Sequence, residues 1–284
     1  MQMIKKILFP TDFSATAQNA FRNCILLADK YGADIQMVHV IFPEYEALDL
    51  PVMAAQATKE KAEAARAVMK SLVETTLAQI QSVYKLESLP NIQSDVEIGT
   101  PGNLIGEVAR RDGADLIVIG TKGEHNVLER VFGSVTTAVI EKAPCHVWVV
   151  PEGASAEKID IVAYASDLQE ADPYHIWEVG KLLEPFNPII HCVHVNKDRS
   201  VERAINFASL GAFFEHHAPA LQISFHPLSG PSVEEALEEY IQIHDVDILV
   251  MYAPQHHWLR RIFRKSYTKS MALETHVPLL ILKK

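Results

Sequence analysis

Apolar residues in this chain gather in short runs, each followed by a longer stretch where they recur every three or four positions. The first runs are Lys6-Ile7-Leu8-Phe9-Pro10, Ile35 to Val40, Ile92 to Ile98, Asp115 to Ile119 and His146 to Val150. Each is too short for a helix, and the unbroken ones suit strands buried on both faces. Helical patterns fill the intervals. One starts from Ser14 as N-cap and runs to about Tyr31, where Gly32 closes it. A second, rich in Ala, Glu, Lys and Gln, spans about Ala54 to Tyr84. A third follows Gly99-Thr100-Pro101-Gly102 and reaches about Arg111. The last covers Val135 to Lys142. Strands alternating with helices predict a parallel sheet with right-handed crossovers.

After a short linker, Gly153-Ala154-Ser155-Ala156, the pattern begins again. Lys158 to Ala163 matches the first strand, and Ser166-Asp167-Leu168 matches Thr11-Asp12-Phe13. Asn187 to Val195 matches the second strand, with His194-Val195 standing where His39-Val40 stood. Ser229-Gly230-Pro231 echoes Gly99-Thr100-Pro101. Asp247 to Met251 echoes Asp115 to Ile119, and Val277 to Leu282 echoes Cys145 to Val150. Element order is the same throughout, so the chain reads as an internal duplication. The expected domains are 1–152 and 153–284, each a doubly wound α/β unit. The fifth strand of each is apolar almost throughout and ends its sheet. The short linker keeps these two edges close, so they are expected to pair as an intramolecular pseudo-dimer; the alternatives are that each edge is covered by its own domain's helices, or a homodimer.

Composition narrows the class. With 284 residues there is ample chain for two domains, and the net charge of −10 argues against nucleic acid and anionic membrane surfaces as partners. No stretch is apolar and long enough to span a bilayer, and MQMIKKILFPTDF lacks the h-region of a signal peptide. Cys24, Cys145 and Cys192 have no C-x-x-C spacing and lie in apolar segments. They read as free thiols in a reducing cytoplasm.

The chemistry concentrates in Asp115 to Thr137, DLIVIGTKGEHNVLERVFGSVTT. Gly120 ends a buried strand, Gly123 follows after two residues, and Gly133-Ser134 come nine residues later. A glycine at a strand end allows a sharp turn and close approach of a ligand. Free N–H groups at a helix start, beside a serine hydroxyl, suit a phosphate. The stretch reads either as a phosphate cradle or as a strand-turn-helix that merely needs glycines. It is neither a Walker A loop, since no Gly-Lys-Ser/Thr follows, nor the dinucleotide fingerprint, whose glycines are spaced differently.

The Pro10-Thr11-Asp12-Phe13-Ser14 turn, the His39-Val40 strand end and the Gly120/Gly123/Gly133-Ser134 spacing together resemble the universal stress protein family in its tandem two-domain form. The resemblance implies a five-stranded parallel sheet flanked by helices in each domain. It also implies ATP, with Mg²⁺ as companion ion, in the members that keep the glycines. On that reading Asp12, with its neighbours Pro10, Thr11 and Phe13, faces the adenosine, and the Val40 backbone meets the adenine. Ile119, Gly120, Lys122 and Gly123 approach the ribose and phosphates, while Gly133, Ser134, Val135 and Thr136 cradle the phosphates. The alternative for Asp12 is a turn residue capping the first helix. Lys122 and His125 add positive charge to the phosphates or are solvated loop residues, and Arg130 does the same or simply covers the helix.

The second half departs where it matters. Tyr252 stands at the Gly120 position, Gln255 at Gly123, and Arg264-Lys265-Ser266 near Gly133-Ser134. Without the glycines, no ATP is expected there by the family mode. His256, His257, Arg260, Arg261, Arg264 and Lys265 make that loop basic, as a solvated surface or an anion site. His191-Cys192-Val193-His194 has the look of a metal motif, yet strand alternation sends His191 and His194 to opposite faces, so no metal is expected. No nucleophile–base arrangement is visible either. A nucleotide-binding stress protein acting through an unidentified protein partner is the leading expectation. A slow Mg²⁺-dependent ATPase, an adenylyl-transferring relative, or a scaffold whose second domain binds a non-nucleotide ligand are the alternatives.

Overall fold

The computed structural model describes residues 4–42, 51–121, 133–168, 172–195, 201–252 and 276–283. The chain divides into two compact units, one spanning Ile4–Gly153 and the other containing Ala154 onward. In the first, β1 (Lys6–Pro10), α1 (Ala15–Tyr31), β2 (Asp34–Ile41), α2 (Pro51–Val83), β3 (Ile92–Ile98), α3 (Pro101–Asp112), β4 (Leu116–Gly120), α4 (Ser134–Lys142) and β5 (His146–Val150) alternate along the chain. The strands lie in the order β3-β2-β1-β4-β5. Every pairing among them is parallel. The order reverses between β1 and β4, which are neighbours in space but far apart in sequence. Open α/β sheets bind ligands outside the carboxyl ends of the strands at such a switch point.

Local sequence explains the elements. β1 and β4 carry Ile7, Leu8, Phe9, Leu116, Ile117 and Val118 fully buried, as expected of strands covered on both faces. In α1, Ala17, Ala20, Phe21, Cys24, Leu27 and Ala28 recur at helical spacing and are all buried. Phe21 packs on Phe9 with ring centroids 4.9 Å apart. Ser14 caps the helix by accepting from Ala17 N–H at 3.1 Å. Gly32 closes it at φ 62°, ψ 39°, a conformation costly for any residue with a Cβ. α1 packs against α2, and α3 against α4. With right-handed crossovers, the two pairs cover opposite faces of the sheet.

The second unit repeats the plan with β6 (Ile161–Ala165), α5 (Asp172–Leu182), β7 (Ile189–Val195), α6 (Val201–His217), β8 (Ile223–Leu228), α7 (Val233–Ile243), β9 (Ile248–Tyr252) and β10 (Leu279–Leu282). Its strand order is β8-β7-β6-β9-β10, again with parallel pairings. The likeness between the units extends to single hydrogen bonds. Asp115 Oδ2 accepts from Lys5 and Lys6 N–H at 2.9 and 3.0 Å, clamping the start of β1 to the start of β4. Asp247 Oδ2 accepts from Asp160 and Ile161 N–H at 2.7 and 2.9 Å in the same way. No helix among the described residues is long and apolar enough to cross a membrane.

Candidate functional site

At the end of β1 the chain makes two short side-chain-to-backbone turns. Thr11 N–H donates to Val38 O at 2.9 Å, adding one rung to the β1–β2 ladder. Thr11 Oγ1 then accepts from Phe13 N–H, and Asp12 Oδ1 from Ser14 N–H, both at 3.1 Å. Such bonds let threonine and aspartate mimic turn backbone. They hold Phe13 in the left-handed region, φ 67°, which costs a non-glycine residue roughly 1–2 kcal/mol. Two contacts offset that cost. The Phe13 ring stacks on His39, centroids 4.5 Å apart and 27° between planes, and Phe13 O accepts from Gln18 Nε2 at 3.2 Å. His39 Nδ1 lies 2.8 Å from Thr11 O. A carbonyl only accepts, so Nδ1 carries the proton. Asp12 itself is exposed, and one of its oxygens is taken by the turn.

Beside this turn the sheet offers a backbone edge. Val38 O is used on the β1 side of β2, and Ile41 O accepts from Gly99 N–H on the β3 side at 2.9 Å. Peptide groups alternate sides along a strand, so those of Val40 point to the β1 side, past the last β1 rung. Val40 is half-buried there.

The third part is the start of α4. The chain returns to the end of β4 at Gly133, whose N–H donates to Thr121 O at 2.7 Å. Gly133 is the N-cap, at φ −63°, ψ 162°, and has no side chain to cap the helix. Among the described residues the N–H groups of Ser134, Val135 and Thr136 open the helix without a side-chain acceptor, unlike α1 with its Ser14. With the positive end of the helix dipole they favour an anion. Ser134 is exposed and Val135 half-buried. Thr136 is buried, and its hydroxyl donates to Gly120 O at 2.8 Å, bracing the helix start against the strand end. Gly120 has a packing reason of its own. A Cβ there would lie 3.1 Å from Thr16 Cγ2 and 3.2 Å from Thr16 O. Ile119 is buried beneath it, and Pro10 closes β1 on the adjacent strand. Lys122, Gly123, His125 and Arg130 lie outside the described residues.

The model of the universal stress protein family matches residues 3–151. The chain belongs to the universal stress protein family. Two universal stress proteins of Methanocaldococcus jannaschii are each 30% identical to it. One aligns over 154 residues, 52% of this chain and 95% of its own length. The other aligns over 148 residues, 52% of this chain and 82% of its own length. The crystal structure of a universal stress protein from Archaeoglobus fulgidus matches 98% of this chain and 96% of its own, with a TM-score of 0.73 at 16% identity. That likeness concerns the fold.

Within this family member the second unit keeps the first turn and changes the rest. Ser166 N–H donates to Val193 O, and Leu168 N–H to Ser166 Oγ, both at 2.9 Å. Leu168 is left-handed at φ 58°, and His194 Nδ1 bonds Ser166 O at 2.8 Å. Each matches its counterpart among Thr11, Phe13 and His39. New here is a buried carboxylate, Asp172, which accepts from the hydroxyls of Tyr164 and Ser166. Burial first, and then Asp172, push the Tyr164 phenol well above its usual range. Where the first unit has Gly120, the Tyr252 ring stacks on His175, centroids 3.5 Å apart. His175 Nδ1 in turn lies 3.4 Å from Glu178 Oε2. The strand end where glycine lets Thr16 pack close in the first unit carries an aromatic pair in the second. The basic loop from His256 to Lys265 lies outside the described residues. Among the described residues no group of three or more His, Cys, Asp or Glu side chains is arranged to hold a metal ion.

Proposed function

We propose that the first unit binds one adenine nucleotide, ATP, at the carboxyl edge between β1 and β4. In this reading the protein acts in the cytoplasm in a stress response, and the bound nucleotide governs how it meets a protein partner. The observation that carries the proposal is the α4 start: a glycine N-cap and three N–H groups that no side chain among the described residues caps, beside the switch point of the sheet. The Val40 peptide groups and the exposed Asp12 carboxylate supply complementary partners for the edge of a base. Ser134, Val135 and Thr136 supply donors for phosphate oxygens. ATP, with Mg²⁺, would bring the charge those donors neutralise. The residues of the chain hold and orient it. The family resemblance supports the same ligand. Tyr252 against His175 supports one nucleotide per chain rather than two.

Mass spectrometry of nucleotide co-purifying with the full chain tests the ligand, and titration calorimetry tests the stoichiometry, expected near one. Gly133→Val adds a branched side chain at the phosphate site in a backbone conformation that accepts one. It should abolish binding while the fold survives. Two sites per chain, or wild-type affinity in Gly133→Val, would overturn the assignment. Following ATP turnover with Mg²⁺ separates binding from hydrolysis.

A further inference from the structure

Three histidines distant in sequence meet on the α7 face of the second sheet. His191 on β7 and His226 on β8 have ring centroids 4.8 Å apart. His244, at the C-terminal cap of α7, lies 5.8 Å from the first and 5.9 Å from the second. Two hydroxyls complete the group. Tyr240 on α7 bonds His191 Nδ1 at 2.9 Å, and Ser224 on β8 bonds His226 Nε2 at 2.7 Å. Tyr240 is buried and also packs on His244, centroids 4.1 Å apart.

The first unit shows what else these positions can hold. Thr11 and Ser166 make the same ladder bond, to Val38 and Val193, so Gln36 corresponds to His191. Asp115 and Asp247 make the same clamp, so Asp112 corresponds to His244. Gln36 pairs with Gln93 across β2–β3 and His191 with Ser224 across β7–β8, so His226 falls at Asp95. In the first unit Gln36 Nε2 donates to Asp112 Oδ2 at 2.7 Å, and Arg111 holds Asp112 at 2.9 Å and Glu97 at 2.7 Å. That neutral-to-charged and charge-paired arrangement stays together whether or not a histidine titrates. The second unit replaces it with imidazoles, which repel one another once two of them are charged.

We propose that the His191–His226–His244 cluster makes the second unit an acid-responsive element, in which proton uptake releases the C-terminal end of α7 from β7 and β8. Two imidazolium rings at these separations repel, and no carboxylate described here faces them. β7 presents His191; its other ionisable groups, Cys192 and His194, alternate to the opposite face. β8 presents Ser224 and His226. α7 presents Tyr240 and His244, while Glu234, Glu235, Glu238 and Glu239 fall roughly 100° or more around the helix from Tyr240. Asp245 beyond the helix is exposed, and Asp247 is engaged with the start of β6. Burial, and then His226 and His244, hold the His191 ring below the usual imidazole range; burial, and then His244, do the same for His226. Because the folded values are lowered, the contribution of these rings to stability is complete above the unfolded value of about 6.5. It is lost as pH falls from there through the folded values. The amides that report the change are His244 N–H, bonded to Tyr240 O, and Val246 N–H, bonded to Ile241 O.

Hydrogen exchange on the full chain at pH 7.5 and pH 5, with chelator present and intrinsic rates corrected, tests the proposal. Protection of residues 240–247 should fall at least tenfold at the lower pH. Residues 108–115, their counterparts in α3, should change by less than threefold. Combining His191→Gln, His226→Asn and His244→Asp should abolish the difference. Should that variant not fold, histidine ring-proton titrations in the unaltered chain decide: His191 and His226 must titrate below the usual imidazole value of about 6.5. Equal protection at both pH values, or His191 and His226 titrating at or above about 6.5, would overturn it.

Discussion

Replacing Ser134 by glutamate should make the protein more stable and its nucleotide binding worse, a pair of effects that no folding defect produces together. Ser134 is the exposed first residue of α4, whose first turn has no acidic side chain. A carboxylate there interacts favourably with the helix dipole, by about 0.3–1 kcal/mol. At roughly 2–4 °C per kcal/mol for a unit of this size, the melting temperature without nucleotide should rise by about 1–4 °C. The same carboxylate stands where the phosphates are expected. Two unit charges 4 Å apart interact by about 1 kcal/mol in water and about 4 kcal/mol at the effective dielectric of a protein surface. Ser134 is exposed, so the lower part of that range applies, and a penalty of ~1–2 kcal/mol per facing phosphate charge lowers affinity by at least about fivefold.

The assay is calorimetric titration with ATP and, separately, with adenosine, alongside thermal melts of the ligand-free protein. Adenosine carries no phosphate, so its affinity for Ser134→Glu should match wild type. ATP bound as tightly as by wild type would refute the phosphate assignment at α4. Equal losses for ATP and adenosine would mean that the substitution disturbed the base side instead, and the reasoning about charge would fail with it.

Gly120→Ala tests packing rather than binding: a Cβ within 3.1–3.3 Å of three Thr16 atoms, two of them backbone, should destabilise by about 1–3 kcal/mol. A melt indistinguishable from wild type would show that the α1 start yields freely. Asp12→Ala should weaken adenosine and ATP alike by roughly 1–3 kcal/mol, read by the same titrations; a loss confined to ATP would move Asp12 to the phosphate side. Burial pushes the Cys24 and Cys192 thiols far up, whereas Cys145 is only half-buried. A thiol reagent at pH 8 should therefore modify one cysteine per native chain, mapped to Cys145 by peptide mass, and all three only after unfolding.

Much of this was legible because strands buried on both faces leave unbroken apolar runs. Lys6–Pro10 and His146–Val150 end where the pattern of residues ends. β6 is an exception. The apolar pattern suggests a strand from Lys158, but the ladder starts at Ile161, because Ile159 is buried before the strand begins and Asp247 takes the N–H groups of Asp160 and Ile161. The left-handed Phe13 was not legible, since glycine is the usual marker of that conformation and here side-chain bonds replace it. The histidine cluster was hidden for another reason. His191, His226 and His244 have no periodic relation in sequence. They meet only through the β7–β8 register and the placement of α7, while the conspicuous neighbour of His191, His194, bonds Ser166 O through a different contact.

The two units also separate what the fold requires from what a ligand would require. The turn after the first strand recurs in both, with the same ladder bond, the same hydroxyl-to-amide bond, the same left-handed residue and the same histidine on its carbonyl. It persists in the second unit beside a strand end filled by Tyr252 and His175. Its geometry is therefore a device for leaving a buried strand and entering a helix, and by itself says little about nucleotide. What differs between the units is the residue at the end of the fourth strand. In the first, Gly120 lets Thr16 approach and offers its carbonyl to Thr136, fixing the α4 start beside the sheet edge. In the second, a ring occupies that strand end. The case for a ligand thus rests on Gly120, Gly133 and the open helix start rather than on the Thr11-Asp12-Phe13 turn, and substitutions at those positions are the ones able to decide it.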